Sequence, residues 1–240
     1  LSLFRVNGPA VKNLIVRNNT ATMMGGGINV YSSVFSMEDV EIHDNLCYGT
    51  VYAGINDVGH GGGLFLNQTW GTLDNMDIHH NTASMNGGGV WSSEGSAWTM
   101  TNSNVSDNIA PYNGGGFGFW NHNGEDLNAT LINVTIENNI AQPGWFVGHG
   151  GGVWAYNSST VFQECIIRNN TAGGNGGGVN YYDGGWPELY NCVIDGNTSN
   201  AIGGGVYIHD EGGWNNNGLT MDRCLAVSYT HLRAHETHTN

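Results

Sequence analysis

Three charged side chains, Glu137, Arg168 and Asp195, occupy one position in successive sequence repeats and come nearest to a catalytic set. An arginine beside a substrate carboxylate can take a proton in a β-elimination, while acidic side chains hold Ca²⁺. The same row is also an ordinary alternation of charges, in which cross-strand neighbours attract by about 0.2–1 kcal/mol per pair. His43 and His79 continue the row in other repeats, as a solvated stripe would. We therefore assign no residue a catalytic role.

Two Gly-His-Gly motifs contain His60 and His149 and are similar to a motif at the active site of polygalacturonases. Those enzymes also need clustered aspartates and a basic substrate-binding motif, and the sequence has neither. Both histidines directly precede a repeated glycine, one 89-residue period apart. We interpret the motifs as structural and predict no metal site and no cofactor; Ca²⁺ would enter only if the chain were a lyase.

Two rows of aromatic side chains follow repeated glycines and are the best candidates for ligand binding. The first row contains Phe65, Trp91, Trp154 and Tyr207, and the second contains Tyr31, Trp120, Tyr156 and Tyr182. Alternation along a strand directs both rows outward, so we expect an exposed apolar platform. Such a platform suits stacking on sugars or docking of a protein. Aromatic residues are also good strand formers, so the rows do not require a ligand.

A glycine triplet recurs along the chain and defines the repeat that must position these side chains. The triplets begin at Gly25, Gly61, Gly87, Gly114, Gly150, Gly176 and Gly203, with spacings of 36, 26, 27, 36, 26 and 27 residues. The spacing pattern itself recurs after 89 residues, which indicates duplication of a block of three repeats. Insertions at Gly49–Gly59, Asn121–Asp126 and Pro143–Val147 are expected to form outward loops.

Each repeat also carries an asparagine: Asn19, Asn45, Asn81, Asn108, Asn139, Asn170 and Asn197. An Ile or Val stands three residues before each asparagine, and a small residue (Ala, Cys or Ser) stands two residues after it. These apolar and small positions are suited to a buried strand and a tight interior corner. An inward asparagine at that corner can pair its amide with the next repeat, so we predict an asparagine ladder.

Period-two alternation between Gly- and Asn-rich turns predicts short strands, and no helical periodicity occurs. One unit of 26 or 27 residues cannot bury its own apolar face, whereas stacked units bury a continuous core. The predicted fold class is all-β, a right-handed parallel β-helix of about seven to eight coils, truncated at both ends. Residues 1–226 form its single domain, and residues 227–240 resemble a translated sequencing adapter, an artefact tail.

The unit IIRNNTAGGNGGGV, residues 166–179, carries a resemblance to known proteins. It resembles the repeats of polymorphic outer-membrane proteins and, more broadly, the β-helices of the pectin-lyase-like superfamily. The pattern has Ile or Val where those repeats have Phe before the asparagine, and a glycine triplet where they have a pair. The resemblance implies a surface or secreted protein, and the superfamily adds polysaccharide lyases and hydrolases.

Cys165, Cys192 and Cys224 share one apolar position, five residues before the asparagine position of their repeats. They are interpreted as a stack of buried free thiols, although adjacent coils would also bring two of them close enough for a disulfide. Cys47 replaces a small residue near the asparagine ladder.

The chain has 240 residues, 39 of them Gly, and a net charge of −14. This acidic balance disfavours nucleic acid and anionic membranes as partners, and no apolar segment is long enough to span a membrane. Eight N-x-S/T sequons fit a secreted glycoprotein or simply a chain rich in Asn, Ser and Thr.

Two functions stay open. The first is an adhesin-like scaffold, extracellular or on the cell surface (the outer membrane in a bacterium), that presents its aromatic face to a glycan or a surface protein. The second is a carbohydrate-active protein, either a polysaccharide lyase or hydrolase or a glycan-binding module.

Overall fold

The computed structural model describes residues 1–49, 58–122, 127–142, 148–183, 185–209, 218–227 and 230–231. The predicted insertions lie largely outside the described residues. The strands in chain order are β1 (Ser2–Phe4), β2 (Asn7–Arg17), β3 (Thr20–Ala21), β4 (Ile28–Tyr31), β5 (Val34–His43), β6 (Leu46–Cys47), β7 (Leu64–Asn67), β8 (Trp70–His79), β9 (Thr82–Ala83), β10 (Val90–Ser93), β11 (Ala97–Ser106), β12 (Ile109–Ala110), β13 (Phe117–Trp120), β14 (Asn128–Glu137), β15 (Ile140–Ala141), β16 (Val153–Tyr156), β17 (Ser159–Gln163), β18 (Ile166–Arg168), β19 (Thr171–Ala172), β20 (Val179–Tyr182), β21 (Glu188–Tyr190), β22 (Val193–Asp195), β23 (Thr198–Ser199), β24 (Val206–His209), β25 (Thr220–Asp222), β26 (Leu225–Val227) and β27 (Thr230–His231).

The strands form three parallel sheets, and each coil contributes to all three. Sheet A has the order β1-β4-β7-β10-β13-β16-β20-β24, and sheet B runs from β2 through β5, β8, β11 and β14 to the pairs β17/β18, β21/β22 and β25/β26. Sheet C consists of the two-residue strands from β3 to β27. Every strand pairs in parallel with its equivalent in an adjacent coil, which confirms the predicted all-β parallel solenoid. The pairing continues into the predicted tail at β26 and β27.

One continuous apolar core fills the inside of the solenoid. The residue directly after each glycine triplet points inward, as do the strand positions two residues further on. Trp98, Phe117 and Phe119 stack within this core, with ring centroids 5.8–6.5 Å apart. Burial of the core side chains as a whole is the main favourable contribution to folding, at roughly 25 cal/mol per Å² of apolar surface.

The glycine triplets form the corner between sheets C and A, as the block Gly150–Gly152 illustrates. Gly150 has a φ of +66°, which favours glycine. A Cβ on Gly151 would lie 2.5 Å from the carbonyl oxygen of Gly177 and 2.5 Å from the carbonyl carbon of Thr171. A Cβ on Gly152 would lie 3.0 Å from Nδ2 of Asn170. The three glycines therefore serve three different needs: a left-handed turn, close approach of sheet C, and room for the asparagine of that coil.

The seven predicted asparagines form an unbroken ladder at the corner between sheets B and C, where they face the glycine triplets across the interior. Each Nδ2 group donates to Oδ1 of the next asparagine at 2.9–3.1 Å from Asn19 to Asn197. The backbone N–H of each of the first six asparagines donates to the same Oδ1 atom. From Asn45 onward, Nδ2 also donates to a backbone carbonyl of the preceding coil at 2.8–2.9 Å. The ladder thus satisfies amide groups that the core would otherwise leave unpaired.

Candidate functional site

The outer face of sheet A carries both aromatic rows, at alternate positions of its strands. In the first row the register aligns Phe65 with Trp91, and Trp91 with Gly118. In the second row Trp120 pairs with Tyr156, and Tyr156 with Tyr182. The structure therefore brings Phe65, Trp91, Trp120, Trp154, Tyr156 and Tyr182 together. Tyr31 on β4 and Tyr207 on β24 lie towards the two ends of the sheet, where Tyr31 stacks on Phe4 and Tyr207 on His209.

The expectation of an exposed platform is wrong for the centre of the first row. Phe65, Trp91 and Trp154 are 4–6% exposed and form a small apolar cluster of their own, outside the main core. Trp120 and Tyr156 from the second row pack against this cluster and cover it, together with Met24. The alternation of a strand fixes the direction of a side chain, but large outward rings from neighbouring coils bury one another.

Gly118 leaves the space that this packing of rings requires. The register places it in the first aromatic row, between Trp91 and Trp154. A Cβ on Gly118 would lie 2.4 Å from the indole of Trp91, so the missing side chain leaves the space that the ring occupies. Trp91 thereby reaches Trp154 two coils away, with ring centroids 6.1 Å apart.

A cavity of about 230 Å³ opens beside these rings. Its described lining comprises Met24, His60, Phe65, Asn67, Asn86, Trp91, Ser93, Glu94 and Trp120. Two indoles provide flat apolar surface, while amide, hydroxyl and carboxylate groups surround them. This combination of stacking surfaces and hydrogen-bonding groups fits a small polar molecule with apolar faces.

The two histidines of the Gly-His-Gly motifs belong to a second row of cross-coil hydrogen bonds, which sequence reasoning missed. This pre-triplet row comprises Met24, His60, Asn86, Asn113, His149, Asn175 and Ile202. Oδ1 of each of its three asparagines accepts the backbone N–H of the next member at 2.9–3.2 Å. His149 Nδ1 accepts the N–H of Asn175 at 3.0 Å in the same way. The recurrence of Asn one residue before the triplet was the available signal.

His149 must be neutral at Nδ1 to accept this hydrogen bond. Burial lowers the pKa of its imidazole, which favours the same neutral form. His60 is 2% exposed, and its ring stacks on Trp91 with centroids 4.6 Å apart. Both histidines therefore have structural contacts in the wall of sheet A.

Glu137, Arg168 and Asp195 lie side by side on β14, β18 and β22. Nε of Arg168 donates to Glu137 Oε2 at 2.6 Å in a pair that solvent reaches. An exposed pair of this kind contributes about 0–1 kcal/mol to stability. The geometry provides a local ion pair on an outer surface of sheet B, away from the aromatic cluster.

Among the described residues, one group of His and acidic side chains brings its ligand atoms close enough to share an ion. Glu41 Oε1 lies 3.3 Å from His79 Nε2 and 3.6 Å from His43 Nε2. The two imidazole planes are nearly parallel, at 8°, with centroids 4.9 Å apart. Their in-plane lone pairs therefore do not converge on one point, as tetrahedral binding requires. We assign no metal to this group.

The cysteines are free thiols. Burial raises the pKa of Cys47 to about 12, which keeps its thiol protonated and unreactive. A hydrogen bond with Cys192, together with burial, raises the pKa of Cys165. The column Cys165, Cys192 and Cys224 packs in or against the core, as small apolar side chains do.

None of the described residues forms a helix that is long and apolar enough to cross a membrane. Comparison with curated proteins gives no match, and neither does comparison with solved structures. A family model described as "Right handed beta helix region" matches residues 55–228, more than half of the chain. Together with the three parallel sheets and their coil-to-coil register, this match shows that the chain belongs to the right-handed β-helix family.

Proposed function

We propose that this chain is a secreted or surface-displayed β-helix that binds neutral glycans on the outer face of sheet A, as an adhesin-like scaffold. The observation that carries the proposal is the cavity bounded by Trp91 and Trp120, with Asn67, Ser93 and Glu94 in its lining. A sugar ring has apolar faces and a rim of hydroxyl groups. Indole rings match the faces, and amide, hydroxyl and carboxylate groups match the rim.

The charge of the chain favours a neutral glycan over a polyuronate. A net charge of −14 repels a polyanion, and Glu94 adds a carboxylate to the cavity lining. The size of the cavity, about 230 Å³, favours a sugar over the broad patch that a protein partner needs. The alternative function is that of a polysaccharide lyase. Its candidate base, Arg168, forms an ion pair with Glu137, which favours the protonated form and so disfavours that role.

The test measures co-sedimentation of the full chain with neutral glucans, mannans, xylans and galactans, and with polygalacturonate, with and without Ca²⁺. We expect binding to at least one neutral polysaccharide without release of new chain ends. Absence of binding by folded protein would contradict the proposal. Ca²⁺-dependent cleavage of polygalacturonate would replace it with the lyase reading.

The matched variants are Trp120→Ala in the cavity and Trp70→Ala at an exposed strand end outside it. Trp120→Ala should lower affinity at least about tenfold, equivalent to roughly 1.4 kcal/mol, whereas Trp70→Ala should not change it. Trp120 is preferable to Trp91, since removal of the buried Trp91 ring would cost about 3–5 kcal/mol of stability and confuse binding with folding. Equal affinity of the two variants would show that the cavity is not the binding site.

A further inference from the structure

A second cavity on the outer face of sheet A repeats the first. Its volume is about 270 Å³, and its lining comprises Asn113, His149, Trp154, Asn175, Asn180 and Tyr182. Each of these residues lies 89 positions after a residue that lines the first cavity, namely Met24, His60, Phe65, Asn86, Trp91 and Ser93. Because 89 residues is the period of the three-coil block, the two cavities are repeat-related copies of one feature.

The two cavities are separated along the solenoid axis by three coils. Strands β7 and β10 contribute to the first cavity, and their equivalents β16 and β20 contribute to the second. At the spacing of parallel strands, three coils correspond to about 14 Å.

Aromatic rings fill the outer face of sheet A between the cavities, with Trp91 and Trp154 buried beneath Trp120 and Tyr156. Trp91 stacks near Trp154 at 6.1 Å, Trp120 near Tyr156 at 4.9 Å, and Tyr156 near Tyr182 at 6.2 Å. Each of these contacts joins rings from different coils, so the stack runs along the axis. The two cavities are therefore connected by one aromatic surface.

Asn180 occupies the place in the second cavity that Trp91 has in the first. It is 2% exposed, and its Nδ2 group donates to the backbone oxygen of Asn175 at 3.3 Å. Its Oδ1 atom has no hydrogen-bond donor among the described residues. This Oδ1 atom is itself shielded from solvent, so the unpaired acceptor is a cost of about 1–3 kcal/mol within the wall of the second cavity.

We infer that the two cavities are subsites for one extended neutral polysaccharide that lies along the solenoid axis. This inference rests on the proposed glycan binding. None of the six described residues that line the second cavity is a carboxylate, a lysine or an arginine, so its amides and rings select hydroxyl groups over charged ones. A short sugar occupies one cavity, whereas a chain of several sugars reaches both. The second contact is then intramolecular, which raises the affinity of long chains steeply.

The experiment titrates the full chain with oligosaccharides of increasing length, cut from the neutral polysaccharides of the binding panel. Affinity should stay low and nearly constant for short oligomers and rise by about 10²-fold or more once the oligomer spans both cavities. A smooth rise of a few-fold, or equal affinity at all lengths, would overturn the inference while leaving glycan binding intact. No binding to any neutral series would overturn both.

Variants in each cavity separate the two contributions. Trp120→Ala in the first cavity and Tyr182→Ala in the second should each bring the affinity for long oligomers close to that for short ones. The double variant should bind neither, and Trp70→Ala should match the unaltered chain. Circular dichroism checks folding, and Trp120→Leu and Tyr182→Leu serve if an alanine variant unfolds. If only one cavity affects the binding of long chains, the paired-subsite inference is wrong.

Discussion

Asparagine performs three distinct tasks at the scale of single residues. Inside the coil the ladder asparagines pair their amides from Asn19 to Asn197, and outside it Asn86, Asn113 and Asn175 accept backbone N–H groups. Asparagine also serves at the position directly before the ladder, which adopts positive φ and holds Asn in three of the six coils named here: Asn18, Asp44, His80, Asp107, Asn138 and Asn169 have φ of 54–56°. Asn and Asp tolerate this left-handed conformation better than other residues with a Cβ. High Asn content therefore reflects coil geometry rather than disorder.

Asn139→Ala should destabilise the protein by about 3 kcal/mol or more. Oδ1 of Asn139 accepts from both N–H groups of Asn108, and its Nδ2 donates to Val105 O and Asn170 Oδ1. Each buried group left without a partner costs about 1–3 kcal/mol. Urea unfolding measures the loss. The matched control, Asn19→Ala at the exposed end of the ladder, should cost clearly less because water replaces its bonds; equal costs would show that the ladder adds nothing to stability.

Replacement of His149 should change how stability depends on pH. Burial lowers its folded-state pKa below the unfolded value of about 6.5, so the unfolded chain binds more protons in the window below pH 6.5. Its contribution is therefore present above about pH 6.5 and is lost as pH falls towards the lower, folded-state pKa.

His149→Asn introduces the residue found at equivalent positions of the pre-triplet row and retains an acceptor. As the pH is lowered from 8 to 5, the thermal unfolding midpoint of this variant should fall less steeply than that of the unaltered chain. Parallel pH profiles for the two proteins would contradict a neutral, hydrogen-bonded His149.

At the scale of elements, the sequence predicts the direction of side chains better than their exposure. The constant spacing of three residues from Ile or Val to the ladder asparagine identifies sheet B and its corner. It does so because successive coils bury the same kinds of side chain at those two positions. The burial of Trp91 could not be predicted in this way, since it depends on Gly118 in the next coil and His60 in the preceding one. The cavities likewise arise from contacts between coils, which no single repeat encodes.

The glycine triplet offers a test at this scale. Gly151→Ala should destabilise the protein by about 1–3 kcal/mol or more, because the new Cβ would lie 2.5 Å from backbone atoms of Gly177, in the next triplet, and of Thr171, in β19. Backbone atoms cannot move aside as the end of a flexible side chain can. Chemical denaturation compares this variant with Gly8→Ala, where the added Cβ meets no atom within 4 Å and only the cost of positive φ applies. A smaller effect at Gly151 than at Gly8 would contradict the close packing of the glycine corner against sheet C.

At the scale of the whole molecule, a stack of equivalent coils converts a short sequence pattern into a long, regular surface. Duplication of a three-coil block then places two similar cavities on the same face, with aromatic rings between them. The ladder, the triplets and the core fix the backbone beneath this face, and a preorganised surface would reduce the entropy lost on binding the long ligand that we propose.

Hydroxyl-radical footprinting, with and without a neutral polysaccharide that co-sediments with the chain, measures which aromatic side chains the ligand covers. If glycans bind on the outer face of sheet A, the ligand should protect Trp120, Tyr156 and Tyr182. It should leave the oxidation of the exposed Trp70 and Trp186 unchanged. Protection of Trp70 or Trp186 instead, with no change at the three aromatic residues of sheet A, would contradict binding on that face.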